Sequence, residues 1–228
     1  MALDSQQKTT DTGAARSSAE AIGASRRSSS QMAIKRAMDI ALTLLAMPLA
    51  LPLGLLIGIM IKLDSKGPIF YTQKRVGKGE KLFTLFKFRS MKDGANALKN
   101  QLKDKNEAAG PVFKIKKDPR ITRVGAILRK SSLDELPQLI NIMKGEMSIV
   151  GPRPPLPEEV EKYNDYQRGR LAVKPGLTCL WQIQGRSSIG FDQWVELDLE
   201  YIRTQSIWVD IKIICKTIPA VLKGTGAW

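Results

Sequence analysis

IALTLLAMPLALPLGLLIGIMI, residues 40–61, decides how the rest of the chain is to be read. The stretch carries no charged side chain, and Thr43 is its only hydroxyl. As a straight helix it would reach ~33 Å, enough to cross the hydrocarbon core of a bilayer. Two features count against a simple crossing. Pro48 and Pro52 lie mid-segment with Gly54 and Gly58 behind them; each proline removes a backbone donor and crowds the preceding turn, so a bend is expected. Both flanks are also basic, with Lys35 and Arg36 before and Lys62, Lys66, Lys74 and Arg75 after. Basic flanks favour the cytoplasmic side. If both stay there, the segment must enter the membrane, bend and return. A re-entrant hairpin over 34–66 is therefore the leading expectation, ahead of a single crossing and of a helix buried in a soluble core.

On the N-terminal side, residues 1–33 are rich in Ser, Ala, Thr and Gln with little apolar periodicity, and read as a disordered tail rather than a secretory signal. On the C-terminal side no second apolar stretch of comparable length follows, so 67–228 is expected to be a soluble or interfacial domain. Residues 68–73 and 82–88 read as short strands around a turn carrying Gly77 and Gly79. Residues 92–109 suit an exposed helix or a loop, and 132–144 a marked helix. Residues 190–223 hold one or two amphipathic helices, with Trp194, Leu197, Tyr201 and Ile202 in one stripe and Trp208, Ile211, Ile214, Cys215 and Ile218 in another. Most of both stripes is expected to be core, although Trp and Lys beside long aliphatics also fit a helix lying on a membrane surface. The fold class that results is α+β, mainly helical.

Thirty-six Lys and Arg against 22 Asp and Glu leave a formal charge of +14, which calls for an anionic partner: nucleic acid, anionic lipid or a phosphorylated substrate. The two cysteines, Cys179 and Cys215, form no CxxC pair and read as structural thiols of a reduced compartment. There is no histidine. The commonest general base and transition-metal ligand is thus excluded, and catalysis must rest on carboxylates, hydroxyls, Lys, Arg, Tyr or a hard cation.

Within RKSSLDELPQL, residues 129–139, Ser132 with Glu135 three residues on matches a capping box and predicts a helix start. Asp134 and Glu135 then fall in a first turn, where acidic residues stabilise a helix without any further role. The same placement beside Arg129 would keep a carboxylate ionised and able to attack phosphorus, with its neighbour helping to hold Mg²⁺. Basic residues surround the segment: Lys114, Lys116, Lys117, Arg120 and Arg123 upstream, and Arg153 downstream in VGPRPP. The flanking prolines stiffen that loop and would aim a guanidinium suited to bidentate phosphate binding. Lys87 and Arg89, at the end of the second strand, would share one face by strand alternation. Each of these cations is equally a solvated surface charge when taken alone.

Together the pieces are similar to the bacterial sugar transferases, the monotopic phosphoglycosyltransferases. The match runs from Lys35 to Trp228: KRAMDI at 35–40, GPIFYTQKRVG at 67–77, FKFRSM at 86–91, DPRITRVG at 118–125, SSLDELPQL at 131–139, KGEMSIVGPRP at 144–154, KPGLT at 174–178, then LDLEYI and D-x-K-I. The resemblance implies a re-entrant helix broken at a proline, best matched by Pro52, and a catalytic domain on the cytoplasmic face of the bacterial inner membrane. It implies Mg²⁺-dependent transfer of a sugar 1-phosphate from a UDP-sugar to polyprenyl (undecaprenyl) phosphate, as in the initiation of exopolysaccharide, capsule or O-antigen synthesis. Asp134 would be the nucleophile and form a covalent phospho-sugar intermediate. Glu135 would assist the metal or the proton, and Arg129 and Arg153, with Lys87 and Arg89, would contact phosphate. Arg186, Asp198 and Asp210 also fall on motif positions. The chain resembles the minimal form, without the additional transmembrane helices that many members carry. Two departures stand out: Cys179 where glycine is usual, and Leu51 where some members have serine. A competing reading is a basic, membrane-anchored scaffold without catalysis, which explains the charge and the apolar stretch but not the motif set. A nucleic-acid partner is not expected, because the chain lacks an aromatic–basic platform. The sugar and the oligomeric state are not legible.

Overall fold

The computed structural model describes residues 28–223 apart from 100–101, 103–105, 108–109, 114, 116–117 and 185–188. Ser28 opens the first helix, α1 (Ser29–Asp64), through a capping box in which its hydroxyl accepts from Gln31 N and the Gln31 side chain accepts from Ser28 N. The helix therefore starts before Ile34, five residues inside the stretch read as tail. It runs as one continuous α-helix with Pro48 and Pro52 inside it. Asp39, Thr43, Ala50, Ile57 and Ile61 recur at near-helical intervals and form its buried stripe. Leu45, Leu49, Leu51, Leu55 and Leu63 are exposed on the rest of the surface. Only 22 % of its most apolar window is buried, so α1 is not the interior helix of a soluble core. It is long and apolar enough to cross a membrane.

Both ends of α1 are fastened to the same body. Near its start, Lys35 pairs with Asp210 at 2.9 Å, Arg36 donates to the carbonyls of Ile142 and Met143, and Asp39 Oδ1 accepts from Ser148 Oγ and Ile149 N. At its finish, Asp64 accepts from Val124 N, and the buried Arg89 donates to the Ser65 and Lys66 carbonyls. Arg89 thus closes the end of α1.

Next comes an antiparallel hairpin, β1 (Phe70–Val76) and β2 (Leu82–Phe88), in register from Phe70↔Phe88 to Val76↔Leu82. Gly79 takes φ 61° in the connecting turn. The short α2 (Ala95–Lys99) and α3 (Arg123–Lys130) follow. A 3₁₀ turn, Leu133–Glu135, leads into α4 (Gln138–Lys144). Asn141 ties α4 to the hairpin: fully buried, it accepts from Phe86 N and donates to Thr84 O, as a neighbouring strand would.

Two three-residue strands, β3 (Ser148–Val150) and β4 (Gly176–Thr178), pair in parallel. They are separated in sequence by α5 (Pro157–Val160) and α6 (Asp165–Arg168). Gly151 and Gly176 permit this crossing, because a β-carbon on Gly176 would lie 2.0 Å from the Gly151 nitrogen. The chain ends in α7 (Leu180–Gln184), α8 (Phe191–Thr204) and α9 (Ile207–Lys223).

The main core gathers Val150, Tyr163, Trp194, Leu199, Tyr201 and Ile202 with Ile213. The α8 stripe is core, as expected. The α9 stripe is not. Trp208, Ile211, Cys215 and Ile218 face outward, and α9 turns Asp210 and Ile213 inward instead. The reason is polar: Asp210 accepts from Tyr201 Oη and Lys35, and burying that network rotates the apolar residues to the surface.

Candidate functional site

The site grows from the end of α3. Ser131 Oγ donates back to Ile127 O and Leu128 O, and Ser132 N donates to Arg129 O. Ser132 takes φ 57°, in the left-handed region, the usual way a helix is brought to a stop. The capping box expected at Ser132 does not form, and the α-helix expected over 132–144 starts only at Gln138. Ser132 closes the helix behind it instead of opening the one ahead. Glu135, which would have completed the box, is drawn to Lys87 Nζ at 2.6 Å. The carboxylates of Asp134 and Glu135 therefore sit on a single tight turn, supported by a lysine rather than by a long helix dipole.

Lys87 comes from β2, and Asn141 holds that strand beside the turn. Its Nζ lies 3.9 Å from Asp134 Oδ2, so the ammonium is committed to Glu135 and only near Asp134. Asp134 is buried, and burial pushes its carboxyl up to about 6 against the pull of Lys87, with Glu135 adding repulsion and Arg129 attraction. It is thus mostly ionised at neutral pH, but for a different balance of forces than a helix terminus would supply. Burial raises Glu135 too, but Lys87, Arg153 and Arg75 outweigh it and leave its carboxyl below the ordinary value.

Arg153 lies over the Trp194 ring at 5.1 Å, where its charge acts on both Glu135 and Asp198. Its loop is pinned from β1: Arg75 donates to Pro154 O at 3.0 Å, and Val76 N to Pro155 O. Burial, with repulsion from Arg153, lowers Arg75 to about 10. In the sequence Arg75 stands out only as a basic flank of the apolar stretch and as part of the 67–77 motif, with no role attached. The signal that marks it is strand alternation, which sets Gln73 and Arg75 on one face, where they bond at 2.9 Å.

Several motif residues stand elsewhere. Arg89 is engaged at the end of α1 and does not reach the dyad. Asp210 is buried in the Lys35–Tyr201 network. Asp198 is clasped by Arg170 at 2.6 and 2.8 Å, a pair surrounded by Tyr163, Phe191 and Trp194. Arg186, Lys114, Lys116 and Lys117 lie outside the described residues. Cys179 is a buried free thiol, raised by burial, whereas Cys215 is free and exposed.

Among the described residues no group of three or more acidic, Cys or His side chains could hold a metal. Mg²⁺ commonly takes one or two carboxylates and completes its shell with substrate phosphate and water, so the Asp134–Glu135 pair fits that donor set.

The two carboxylates on this tight turn thus lie among Lys87 and Arg129 on the Asp134 side and Lys87, Arg153 and Arg75 on the Glu135 side, a cation-rich setting suited to a phosphorylated ligand. The profile of a family described as bacterial sugar transferase matches residues 30–224. The chain belongs to that family. It is 46 % identical over 199 residues to the galactosyl transferase CpsE of Streptococcus agalactiae, covering 87 % of this chain and 44 % of the relative. It is 41 % identical to the exopolysaccharide production protein ExoY of Sinorhizobium fredii, over 85 % of this chain and 88 % of the relative. It is also 41 % identical to the undecaprenyl-phosphate galactose phosphotransferase of Salmonella typhimurium, over 86 % of this chain and 42 % of the relative. The chain thus spans less than half the length of two of these relatives and most of the third.

Proposed function

We propose that this sugar transferase moves a sugar 1-phosphate from a UDP-sugar to polyprenyl phosphate in two steps, through Asp134. An Asp134 oxygen attacks the sugar-linked phosphorus as the bond to UMP breaks, leaving an acyl phosphate that carries the sugar. A phosphate oxygen of the polyprenyl acceptor then attacks the same phosphorus. The Asp134–phosphorus bond breaks, releasing the free carboxylate and a polyprenyl-diphosphate sugar. Lys87, Arg129 and Arg153 balance phosphate charge, and Glu135 orients Lys87 and takes the proton of the acceptor phosphate as its oxygen attacks. Asp134 and Glu135 would hold Mg²⁺, which when bound would supply Lewis-acid neutralisation of the diphosphate.

The observation that carries this reading is the arrangement around Asp134. Its carboxylate is buried beside two cations, Lys87 and Arg129, yet the nearer of them bonds to Glu135 instead. A nucleophile has to be charged, desolvated and not already consumed by a partner.

The proposal places the enzyme at the inner membrane, with α1 dipping in as a re-entrant element and both flanks on the cytoplasmic face. Support comes from the two ends of α1, which bond to one body at Lys35, Arg36 and Asp39 and again at Asp64 and Ser65. A segment crossing to the far side would have to break one of these sets.

Purified full-length protein with Mg²⁺ is incubated with a series of UDP-sugars. UDP-galactose comes first, since two relatives are named for galactose. The expected result is UMP release that depends on polyprenyl phosphate, with the phospho-sugar on residue 134 trapped when acceptor is withheld. Lipid-dependent turnover without any adduct on that residue rejects the covalent route, and no UMP from any UDP-sugar rejects the activity.

A further inference from the structure

Two apolar grooves flank the segment that carries the dyad. One, of about 530 Å³, lies between α1, the hairpin and α4. It reaches Leu136 and Pro137, includes neither Asp134 nor Glu135, and has Lys62 as the sole charged residue in its wall. The other, of about 390 Å³, lies on the opposite flank. Leu133, Leu177, Ile214, Ile218 and Val221 supply its apolar surface, and Glu135, though not Asp134, lies in its wall.

We infer that the second groove holds the isoprenoid chain of the lipid acceptor, with its phosphate delivered to Asp134 and Glu135; this rests on the transfer reading above. Three observations converge. The groove joins an apolar surface to the dyad: Glu135, with Lys87 bonded to it, stands in the wall beside the hydroxyls of Ser131 and Ser132 and a run of aliphatic side chains. A phosphate on an isoprenoid tail needs both, an apolar lining for the chain and a cation near the dyad for the anion. The groove is also fixed in shape, because Thr178 Oγ1 and Thr217 Oγ1 bond at 2.7 Å and tie α9 to β4 across its floor.

The third observation is how the groove opens. Ile218 lines it and is also 60 % exposed, on the face of α9 that presents Trp208 at 80 % exposure. Along a helix of 3.6 residues per turn, Trp208, Cys215, Ile211 and Ile218 span the outer face, and Ile214 and Val221 follow on the groove side. A chain lying in a bilayer against that outer face can pass over Ile218 into the groove without crossing water. The larger groove offers apolar contact but has neither carboxylate of the dyad in its wall, and ordinary lipid tails can fill it.

The test uses full-length protein in nanodiscs of phosphatidylcholine and phosphatidylglycerol, with a polyprenyl phosphate carrying a diazirine on its first isoprene units. After irradiation and digestion, label is expected on peptides containing 177–182 or 214–221, and it is displaced by unlabelled polyprenyl phosphate. Label confined to 47–63 or 136–140, label displaced equally by phospholipid, or no label at all overturns the assignment. A second arm compares Ile214→Trp with the wild type on two acceptors, a long polyprenyl phosphate and a short alkyl phosphate. The preference for the long chain is expected to fall about tenfold; an unchanged preference overturns the inference, and if the variant does not fold the photolabel decides. Failure of the groove and failure of the enzyme reading are separable: wild-type UMP release with label elsewhere sinks only the groove, and no UMP release sinks the reading beneath it.

Discussion

Asp134 and Asp198 are both buried aspartates whose carboxyls burial lifts to about 6. They differ in what touches them. Arg170 grips Asp198 through two nitrogens at 2.6 and 2.8 Å, inside a wall of Tyr163, Phe191 and Trp194. Asp134 has its nearest ammonium at 3.9 Å, already bonded to Glu135. Depth and displaced acidity are therefore shared by a carboxylate built into the core and one left available for chemistry. The distinction lies in whether the partner is spent.

The largest effect expected from this contrast is on turnover. Asp134→Asn should lower lipid-dependent UMP release by about three orders of magnitude or more, as removal of a nucleophile does elsewhere. Its stability should move the other way. Because the folded carboxyl titrates above the ordinary value near 4, the fold is favoured while the group is protonated and loses ground as pH rises to about 6. Above that range the variant no longer buries a charge, and its Tm at pH 7.5 should rise by about 2–4 °C. A variant that loses both activity and stability would place Asp134 in the same class as Asp198.

Asp198→Asn should reverse the pattern. It leaves the Arg170 guanidinium buried without its counter-charge, a loss of about 3–5 kcal/mol read by denaturant unfolding. Activity per folded molecule should fall far less than in Asp134→Asn. Equal losses of turnover in the two variants would dissolve the distinction between held and available carboxylates.

Much of the frame behind this contrast can be read along the chain. The apolar run, the hairpin strands and α8 announce themselves by length, alternation and helical spacing, and the Asp-Glu pair is local. What joins distant stretches is not legible in that way. Lys87 meets Glu135 where Asn141 bonds α4 to the backbone of β2 and Phe83 and Leu85 pack against Leu139 and Ile142, and a buried asparagine carries no periodic signal. The three-residue strands β3 and β4 are too short to show alternation, and their pairing depends on Gly151 and Gly176 meeting across the fold. Ser132 misleads for a physical reason: S-x-x-E marks a helix start only if the preceding residues are not already helical, and here α3 runs up to Lys130. The α9 stripe misleads because apolar spacing does not say which side is covered, and the buried Asp210 turns it outward.

A third prediction separates the two aspartates by titration. If Asp134 must be ionised to attack, turnover rises with pH through about 6. Lys87→Met removes the nearest positive charge from Asp134 and the bond to Glu135, leaving the Arg170–Asp198 pair untouched. The midpoint of the acid limb should then move up by about one unit, measured as the pH profile of lipid-dependent UMP release. A limb that stays near its wild-type midpoint in the Lys87→Met protein would assign the titration to Asp198 instead.

The smallest expected effect concerns how each aspartate is presented. Asp198 rides on the long helix α8 and needs no special backbone, whereas Asp134 follows a serine held at φ 57°. Glycine adopts that conformation without the steric penalty of a β-carbon, so Ser132→Gly should keep the turn and stabilise the protein by about 0.5–1 kcal/mol. Were Ser132 acting as an N-cap, the same change would instead cost a few tenths of a kcal/mol. Turnover should stay close to wild type, because the Lys87–Glu135 bond and the position of Asp134 depend on the turn and not on the serine hydroxyl, which makes no capping bond. A stability loss in Ser132→Gly, measured by denaturant unfolding, would mean that the hydroxyl opens the dyad's turn after all, and that Asp134 is presented by a helix start of the kind its local sequence suggests.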